Sequence, residues 1–196
     1  MRNLFYLSFI FILFSCQNKK NQSTINSIEN PFFQEWNTPF DVPPFNLIKD
    51  EHYMPAFEKG MKENMDEIDI IVNNKEKPTF ENTIEALERS GKLLTKVQRV
   101  FSNLASSNTN PKLQELQRDL SPTLSAHYDK ISLNEGLFNR VDAIWQNREN
   151  LDLTREQTKL LNDTRKGFVR SGALLSEDQK ERISEINSKI SGLTTT

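Results

Sequence analysis

Histidine, cysteine and glycine are scarce in this sequence. Its 196 residues include two histidines, one cysteine and six glycines. One cysteine excludes an internal disulfide bond, and two distant histidines supply few of the three protein ligands that a catalytic zinc usually has. The glycines form neither a phosphate loop nor a dinucleotide fingerprint, and no nucleophile-elbow sequence occurs. The common catalytic motifs are therefore missing.

Neither sign of charge dominates the composition. The chain has 25 Lys and Arg residues and 27 Asp and Glu residues, for a formal net charge of −2. Binding to nucleic acid typically needs a basic face, so we expect no nucleic-acid partner. The alternation typical of β-strands between hairpin turns is also absent. The length suffices for one domain with a sizeable core, and its periodic segments predict an all-α helical bundle.

Long apolar runs are limited to residues 4–14, just after Arg2. This run of eleven residues is shorter than the roughly 20 that span a bilayer, but it suits the apolar part of a signal peptide. It ends in Leu-Phe-Ser-Cys, which resembles a bacterial lipobox. We expect a signal peptide at residues 1–15 and lipid attachment at Cys16, hence an exported lipoprotein at the cell envelope. A secretory signal with an incidental cysteine is the alternative.

A polar segment and an aromatic one follow. Residues 16–29 are rich in Asn, Gln, Ser and Lys, which predicts a flexible tether. Residues 30–50 hold four prolines, which forbid a long helix. Their aromatic side chains predict an extended arm packed across the helices, although an exposed peptide-binding groove would also use aromatics. These aromatics are Phe32, Phe33, Trp36, Phe40 and Phe45.

Residues 78–104 carry the most regular pattern in the chain. Apolar residues and one glycine recur there at steps of three and four, which predicts one continuous helix with Thr79 as its N-cap. The stripe consists of Phe80, Ile84, Leu87, Gly91, Leu94, Val97, Phe101 and Leu104. We expect this helix to be the core element that the other helices cover.

Further helices are predicted on both sides of it. One covers residues 55–73, and another begins at Asn110-Pro111 and should be kinked or split by Pro122. A third starts at Asn134. Capping boxes at Thr154 and Ser176 open two more. The helix that begins at Thr154 should stop at Gly172. No stop signal follows the helix that begins at Ser176, and this abrupt end favours a truncated sequence.

Three stretches in order resemble the N-terminal helical region of the thimet oligopeptidase family, which includes oligopeptidase A and peptidyl-dipeptidase. The first runs from Asn-Pro-Phe-Phe at residues 30–33 to Glu-His-Tyr-Met-Pro-Ala-Phe at 51–57. The second is Phe-Glu-Asn-Thr-Ile at 80–84 with the Ser-Gly at 90–91. The third is Gly-Phe-Val-Arg-Ser-Gly-Ala-Leu-Leu-Ser at 167–176. The peptidyl-dipeptidase branch looks most similar.

This resemblance implies a zinc metallopeptidase that cleaves short peptides and binds its zinc through a His-Glu-x-x-His motif. Neither His52 nor His127 stands in such a motif, and we expect both to be structural. Residues 30–196 should thus form the N-terminal helical domain, one wall of a channel for peptides, with the C-terminal catalytic domain absent. We predict no catalytic residue and no bound zinc in this chain alone.

Two functional interpretations stay open. The chain is either the N-terminal portion of a lipid-anchored zinc oligopeptidase or a non-catalytic, lipid-anchored helical module that binds peptides or a partner at the envelope. In both, the apolar stripe of the last predicted helix indicates an interface. That stripe consists of Ile183, Ile186, Ile190 and Leu193.

Overall fold

A computed structural model describes residues 30–194 as a bundle of α-helices, and no strand occurs within that range. The predicted signal peptide, Cys16 and the tether lie outside the described residues. The all-α prediction is confirmed. The helices are α1 (Tyr53–Val72), α2 (Ala86–Arg89), α3 (Lys92–Ser107), α4 (Pro111–Ser132), α5 (Glu135–Gln146), α6 (Arg155–Ser171) and α7 (Glu177–Leu193).

The helix caps follow the predicted residues. The side chains of Asn110 and Asn134 accept hydrogen bonds from backbone N–H groups in the first turns of α4 and α5. Thr154 and Ser176 open α6 and α7 with reciprocal capping boxes. Gly172 ends α6 with a φ of 105°, in the left-handed region where glycine is favoured. Local chemistry therefore sets most helix boundaries.

The apolar interior consists of two clusters, and α1 contributes to both. The first cluster lies between the start of α1, α3 and the start of α4; its members include Phe32, Tyr53, Phe57, Leu94, Phe101 and Leu120. The second lies between the end of α1, residues 80–84, α5 and α6; its members include Ile68, Ile84, Leu137, Val141, Leu161 and Phe168.

Helices α1 and α3 approach each other closely at Gly60. A Cβ atom at this position would lie 2.9 Å from the backbone N and Cα of Leu94. Backbone atoms cannot turn aside as a side chain can, so the close packing of α1 on α3 depends on the missing side chain. Gly167, in α6, has no heavy atom within 4 Å of the same ideal position.

The prediction of one continuous helix over residues 78–104 is wrong. Residues Phe80–Glu85 form a π-helical segment that runs into the single turn of α2. The chain then breaks at Ser90 and Gly91, where Gly91 has a φ of 69°, before α3 starts. A residue in this left-handed conformation cannot continue an α-helix. The regular spacing concealed the break because Gly91 fitted the apolar stripe.

Of the kink or split predicted at Pro122, the split is wrong, because α4 is one helix from Pro111 to Ser132 with Pro122 inside it, and the kink stays a prediction. Leu116 and Leu120 before the proline are buried in the first cluster, and His127 after it is buried too. Leu124, two residues after the proline, also packs against the first cluster, and this packing on both sides of Pro122 offsets the lost backbone hydrogen bond.

The arm over residues 30–50 is only partly packed as predicted. Phe32 is buried, and Phe33 and Trp36 pack against the first cluster. Phe40, in contrast, is fully exposed and has a φ of 59°, and Phe45 is 45% exposed. Pro39 and the pair Pro43-Pro44 restrict the backbone around this turn, which directs the arm away from the core after Trp36.

Candidate functional site

A buried polar network links α1, the break before α3, and α4. His127, on the apolar stripe of α4, is 5% exposed and its Nε2 lies 2.9 Å from Oδ1 of Asn64 on α1. The amide of Asn64 in turn donates to Oγ of Ser90 at 3.2 Å. Since Oδ1 of Asn64 is the acceptor, Nε2 of His127 carries the proton. This arrangement confirms that His127 is a hydrogen-bonded core residue.

The same network supports the helix break. Glu67, one turn beyond Asn64 on α1, accepts a hydrogen bond of 2.6 Å from the backbone N–H of Gly91. Its carboxylate therefore lies at the start of α3, where the helix dipole favours a negative charge. Asn64 also packs within 3.0 Å of the position that a Cβ of Gly91 would take. The polar groups thus occupy the boundary between the two apolar clusters.

Because His127 is buried, we expect the stability of the protein to depend on pH. Burial lowers the pKa of His127 below its usual 6.5, and nearby Lys130 lowers it further. As pH falls, His127 binds a proton in the unfolded chain before it does so in the folded chain. The stability that depends on neutral His127 is therefore fully present above about pH 6.5 and declines below it. We expect the free energy of unfolding to fall by up to about 1.4 kcal/mol per pH unit from this group.

His127→Gln is the control, because an amide can still donate to Asn64 but does not titrate. Urea unfolding at several pH values from 7.5 to 5 should show a smaller decline for this variant than for the unaltered chain. Parallel declines would assign the pH dependence to carboxylates elsewhere in the chain.

His52 has a local role as well. Its Nδ1 accepts a hydrogen bond of 3.0 Å from the backbone N–H of Lys49, and its carbonyl accepts one of 2.9 Å from the Asn30 side chain. Across the described part of the chain, no group of three His, Cys, Asp or Glu residues could hold a metal ion. The structure does not bring His52 and His127 into one site, and the absence of bound zinc stays a prediction.

Arg140 on α5 organises the loop between α1 and residue 80. It is 8% exposed, and its guanidinium donates to the carbonyls of Asn74 and Glu76 at 2.9 and 3.3 Å. It also donates to the side chains of Asn82 and Thr83 at 2.9 and 3.3 Å. Neutral acceptors thus bind a buried cation, which indicates a structural role.

Trp36 separates two surface grooves beside the arm. The cleft on one side has a volume of about 490 Å³ and reaches Pro31, Leu47 and His52. The groove on the other side, of about 560 Å³, lies between the arm and the start of α3, and it is lined by Arg89, Lys92, Lys96, Arg99, Asp41 and Glu88. We call this second groove the basic groove, because four of its residues are cationic and two are anionic.

Lys96 fixes Trp36 in place at the wall of the basic groove. Its Nζ donates to the carbonyls of Phe32 and Gln34 at 3.2 and 2.7 Å and lies 4.0 Å from the centre of a Trp36 ring. Burial lowers the pKa of Lys96, and the charge of Glu35 partly opposes this. The Lys96 ammonium group is therefore already bound by two carbonyls and the Trp36 ring. Arg89, Lys92 and Arg99, in contrast, are exposed to solvent.

Helix α7 packs on α4 and exposes apolar residues on its outer side. Ser121 on α4 donates to the carbonyl of Ser191, and Asn187 donates to Asp129 at 2.9 Å. Ile186, Ile190 and Leu193 are 40%, 53% and 76% exposed. The exposure confirms the predicted apolar stripe for these three residues. None of the helices between residues 30 and 194 is long and apolar enough to cross a membrane.

Comparison with known proteins identifies the class to which this helical region is related: the chain is a homologue of peptidases of the thimet oligopeptidase family. It is 41% identical to dipeptidyl carboxypeptidase of Salmonella typhimurium over 82% of the chain, and 41% identical to that of Escherichia coli over 84%. Oligopeptidase A of Escherichia coli is 27% identical over 80% of the chain.

The match covers only part of each relative. The chain spans about a quarter of these curated proteins, 24% for both dipeptidyl carboxypeptidases and 23% for oligopeptidase A. No family model matches the sequence. The predicted resemblance to this family is thus confirmed at the level of homology.

Proposed function

We propose that this chain is the N-terminal helical portion of a zinc-dependent metallopeptidase that hydrolyses short peptides and releases dipeptides from their C-termini. The identity of 41% with two dipeptidyl carboxypeptidases over most of the chain carries this proposal. Zinc and the residues that act on the peptide bond would come from the three quarters of those relatives that the chain does not match. The chain itself would form one wall of the peptide channel.

The exposed stripe of α7 supports an interface with that remaining portion. Ile186, Ile190 and Leu193 form an apolar surface, and surfaces of this kind usually mark contacts with another protein surface. We propose that the catalytic portion covers this stripe. A chimera tests the proposal directly: residues 30–194 replace the matching quarter of Escherichia coli dipeptidyl carboxypeptidase.

The chimera should release dipeptides from a blocked tetrapeptide, and chelation of zinc should abolish the activity. Ile190→Glu should lower its activity at least about tenfold, since a charge in an apolar interface costs well over 1.4 kcal/mol. Ile70→Glu is the matched control, because Ile70 is an exposed isoleucine on α1. A folded but inactive chimera would contradict the proposed function, and equal loss in both variants would contradict the assignment of α7.

The isolated chain should show neither zinc binding nor hydrolysis. Within residues 30–194 the nitrogen ligands are limited to His52 and His127, which have separate hydrogen-bond partners. We expect less than about 0.1 zinc per chain by metal analysis, since a catalytic zinc usually needs three protein ligands. One tightly bound zinc per chain, or release of dipeptides by the chain alone, would favour a self-contained enzyme instead.

We also propose lipid attachment at Cys16 and a location at the cell envelope. The support is the sequence alone: a charged start, an apolar run and a cysteine preceded by serine. Metabolic labelling with a fatty acid should mark the unaltered protein but not Cys16→Ser. Label that persists in Cys16→Ser would refute the attachment site, and absence of label from the unaltered protein would indicate an ordinary secretory signal.

A further inference from the structure

The basic groove contains a row of cations along one edge of α2 and α3. Arg89, Lys92, Lys96 and Arg99 follow one another at steps of three, four and three residues, and all four line the groove. The row continues across the break at Gly91, since Arg89 at the end of α2 and Lys92 at the start of α3 line the same groove. From Lys92 to Arg99 it extends about 10 Å, at 1.5 Å per residue.

The row is only partly neutralised by its surroundings. Arg89 forms an exposed ion pair with Glu85 at 2.8 Å. Among the residues that the structure describes, the side chains of Lys92 and Arg99 have no ion-pair or hydrogen-bond partner. Like charges one helical turn apart destabilise a helix. Asp41 and Glu88 in the lining, Glu85 beside Arg89 and Glu35 near Lys96 offset part of this charge, which leaves Lys92 and Arg99 as the exposed cations without an ion-pair partner in the described part of the chain.

The arm forms the other wall of the groove, with Trp36, Pro43 and the carboxylate of Asp41. Trp36 donates from Nε1 to the carbonyl of Pro31 at 2.9 Å, and its ring packs against Lys96. Pro43 lies beside it at the edge of the groove. An aromatic ring and a proline next to cations can hold a peptide by its backbone and apolar side chains while the cations bind carboxylates.

We propose that the basic groove binds an acidic peptide segment in an extended conformation, with Lys92 and Arg99 on its carboxylates and Trp36 against its backbone. An extended chain advances about 3.3 Å per residue, so three or four residues span the distance from Lys92 to Arg99. The charge of the groove selects anions. The choice of a peptide over another anion rests on the proposed function, and the overall charge of −2 disfavours a nucleic acid.

Trp36 provides a direct signal for binding. The sequence has two tryptophans, so Trp145→Phe leaves Trp36 as the sole tryptophan. The probe is a pentapeptide with glutamate at alternate positions, titrated at low salt, with a lysine peptide and a glutamine peptide of the same design alongside. The glutamate peptide alone should change Trp36 fluorescence in a saturable manner, and 0.5 M salt should weaken its binding at least about tenfold.

Charge reversal identifies the residues that bind. Lys92→Glu with Arg99→Glu should weaken binding of the glutamate peptide by about tenfold or more, because two attractions become repulsions. Lys166→Glu with Arg170→Glu is the matched control, since it reverses an exposed lysine and an exposed arginine on α6. Thermal melts establish that both double variants are folded.

Three results would overturn the proposal: no saturable signal with the glutamate peptide, equal loss in the two double variants, or tighter binding of a single-stranded oligonucleotide of equal charge. These results are independent of the chimera. An active chimera without peptide binding would refute the groove alone, and peptide binding with an inactive chimera would refute the proposed function alone.

Discussion

Gly60→Ala should destabilise the protein by about 2 kcal/mol, although alanine is the better helix former. The new methyl group would lie 2.9 Å from the backbone N and Cα of Leu94. To relieve this contact, α1 and α3 must move apart, and the first apolar cluster between them loses packing. The overlap outweighs the gain of about 1 kcal/mol in helix propensity.

Gly167→Ala is the matched control for this prediction. Gly167 is exposed within α6 and has no heavy atom within 4 Å of the added methyl group. Only the helix propensity changes there, so this variant should be more stable by roughly 0.5–1 kcal/mol. Urea unfolding followed by circular dichroism measures both. Stabilisation by Gly60→Ala would show that α1 and α3 are less closely packed than the structure indicates.

Arg140→Met should cost about 3 kcal/mol of stability. Methionine keeps much of the apolar volume of the side chain but donates no hydrogen bond. The carbonyls of Asn74 and Glu76 lose the guanidinium that binds them, and the side chains of Asn82 and Thr83 lose a donor. Because these bonds involve a charged donor in a buried position, their loss exceeds that of an average hydrogen bond.

Two further variants test this account of Arg140. Arg140→Lys keeps the charge, but one ammonium group cannot reach all four acceptors, so an intermediate loss of stability is expected. Arg118→Ala removes an exposed arginine from α4 and should change stability by less than about 0.5 kcal/mol. Equal stability of Arg140→Met and the unaltered chain would mean that water can replace the guanidinium.

Sequence patterns predicted those parts of the fold that depend on local chemistry. Asn110, Asn134, Thr154 and Ser176 start their helices as expected, because the cap side chain and the orphan N–H groups belong to the same few residues. The break at Gly91 was missed because it depends on Glu67 and Asn64, which lie more than 20 residues away and join it only in the folded chain.

The basic groove could not be predicted for the same reason. The spacing of Arg89, Lys92, Lys96 and Arg99 is visible in the sequence, and it is equally typical of an ordinary solvated helix face. Only the fold shows that Trp36 and the arm lie across from these cations. The aromatic residues of the arm differ in whether they pack or line a groove: Phe32 is buried and Phe40 is exposed. Trp36 both packs against the first cluster and lines the basic groove.

The division of the interior into two apolar clusters with a polar boundary affects the order in which the protein opens. Amide hydrogens exchange with solvent when the surrounding structure unfolds locally, in units that open cooperatively. Helix α1 contributes Phe57 to one cluster and Ile68 to the other, with Asn64 between them. Neither half can therefore unfold without exposing part of α1, so this helix joins the two halves into one cooperative unit.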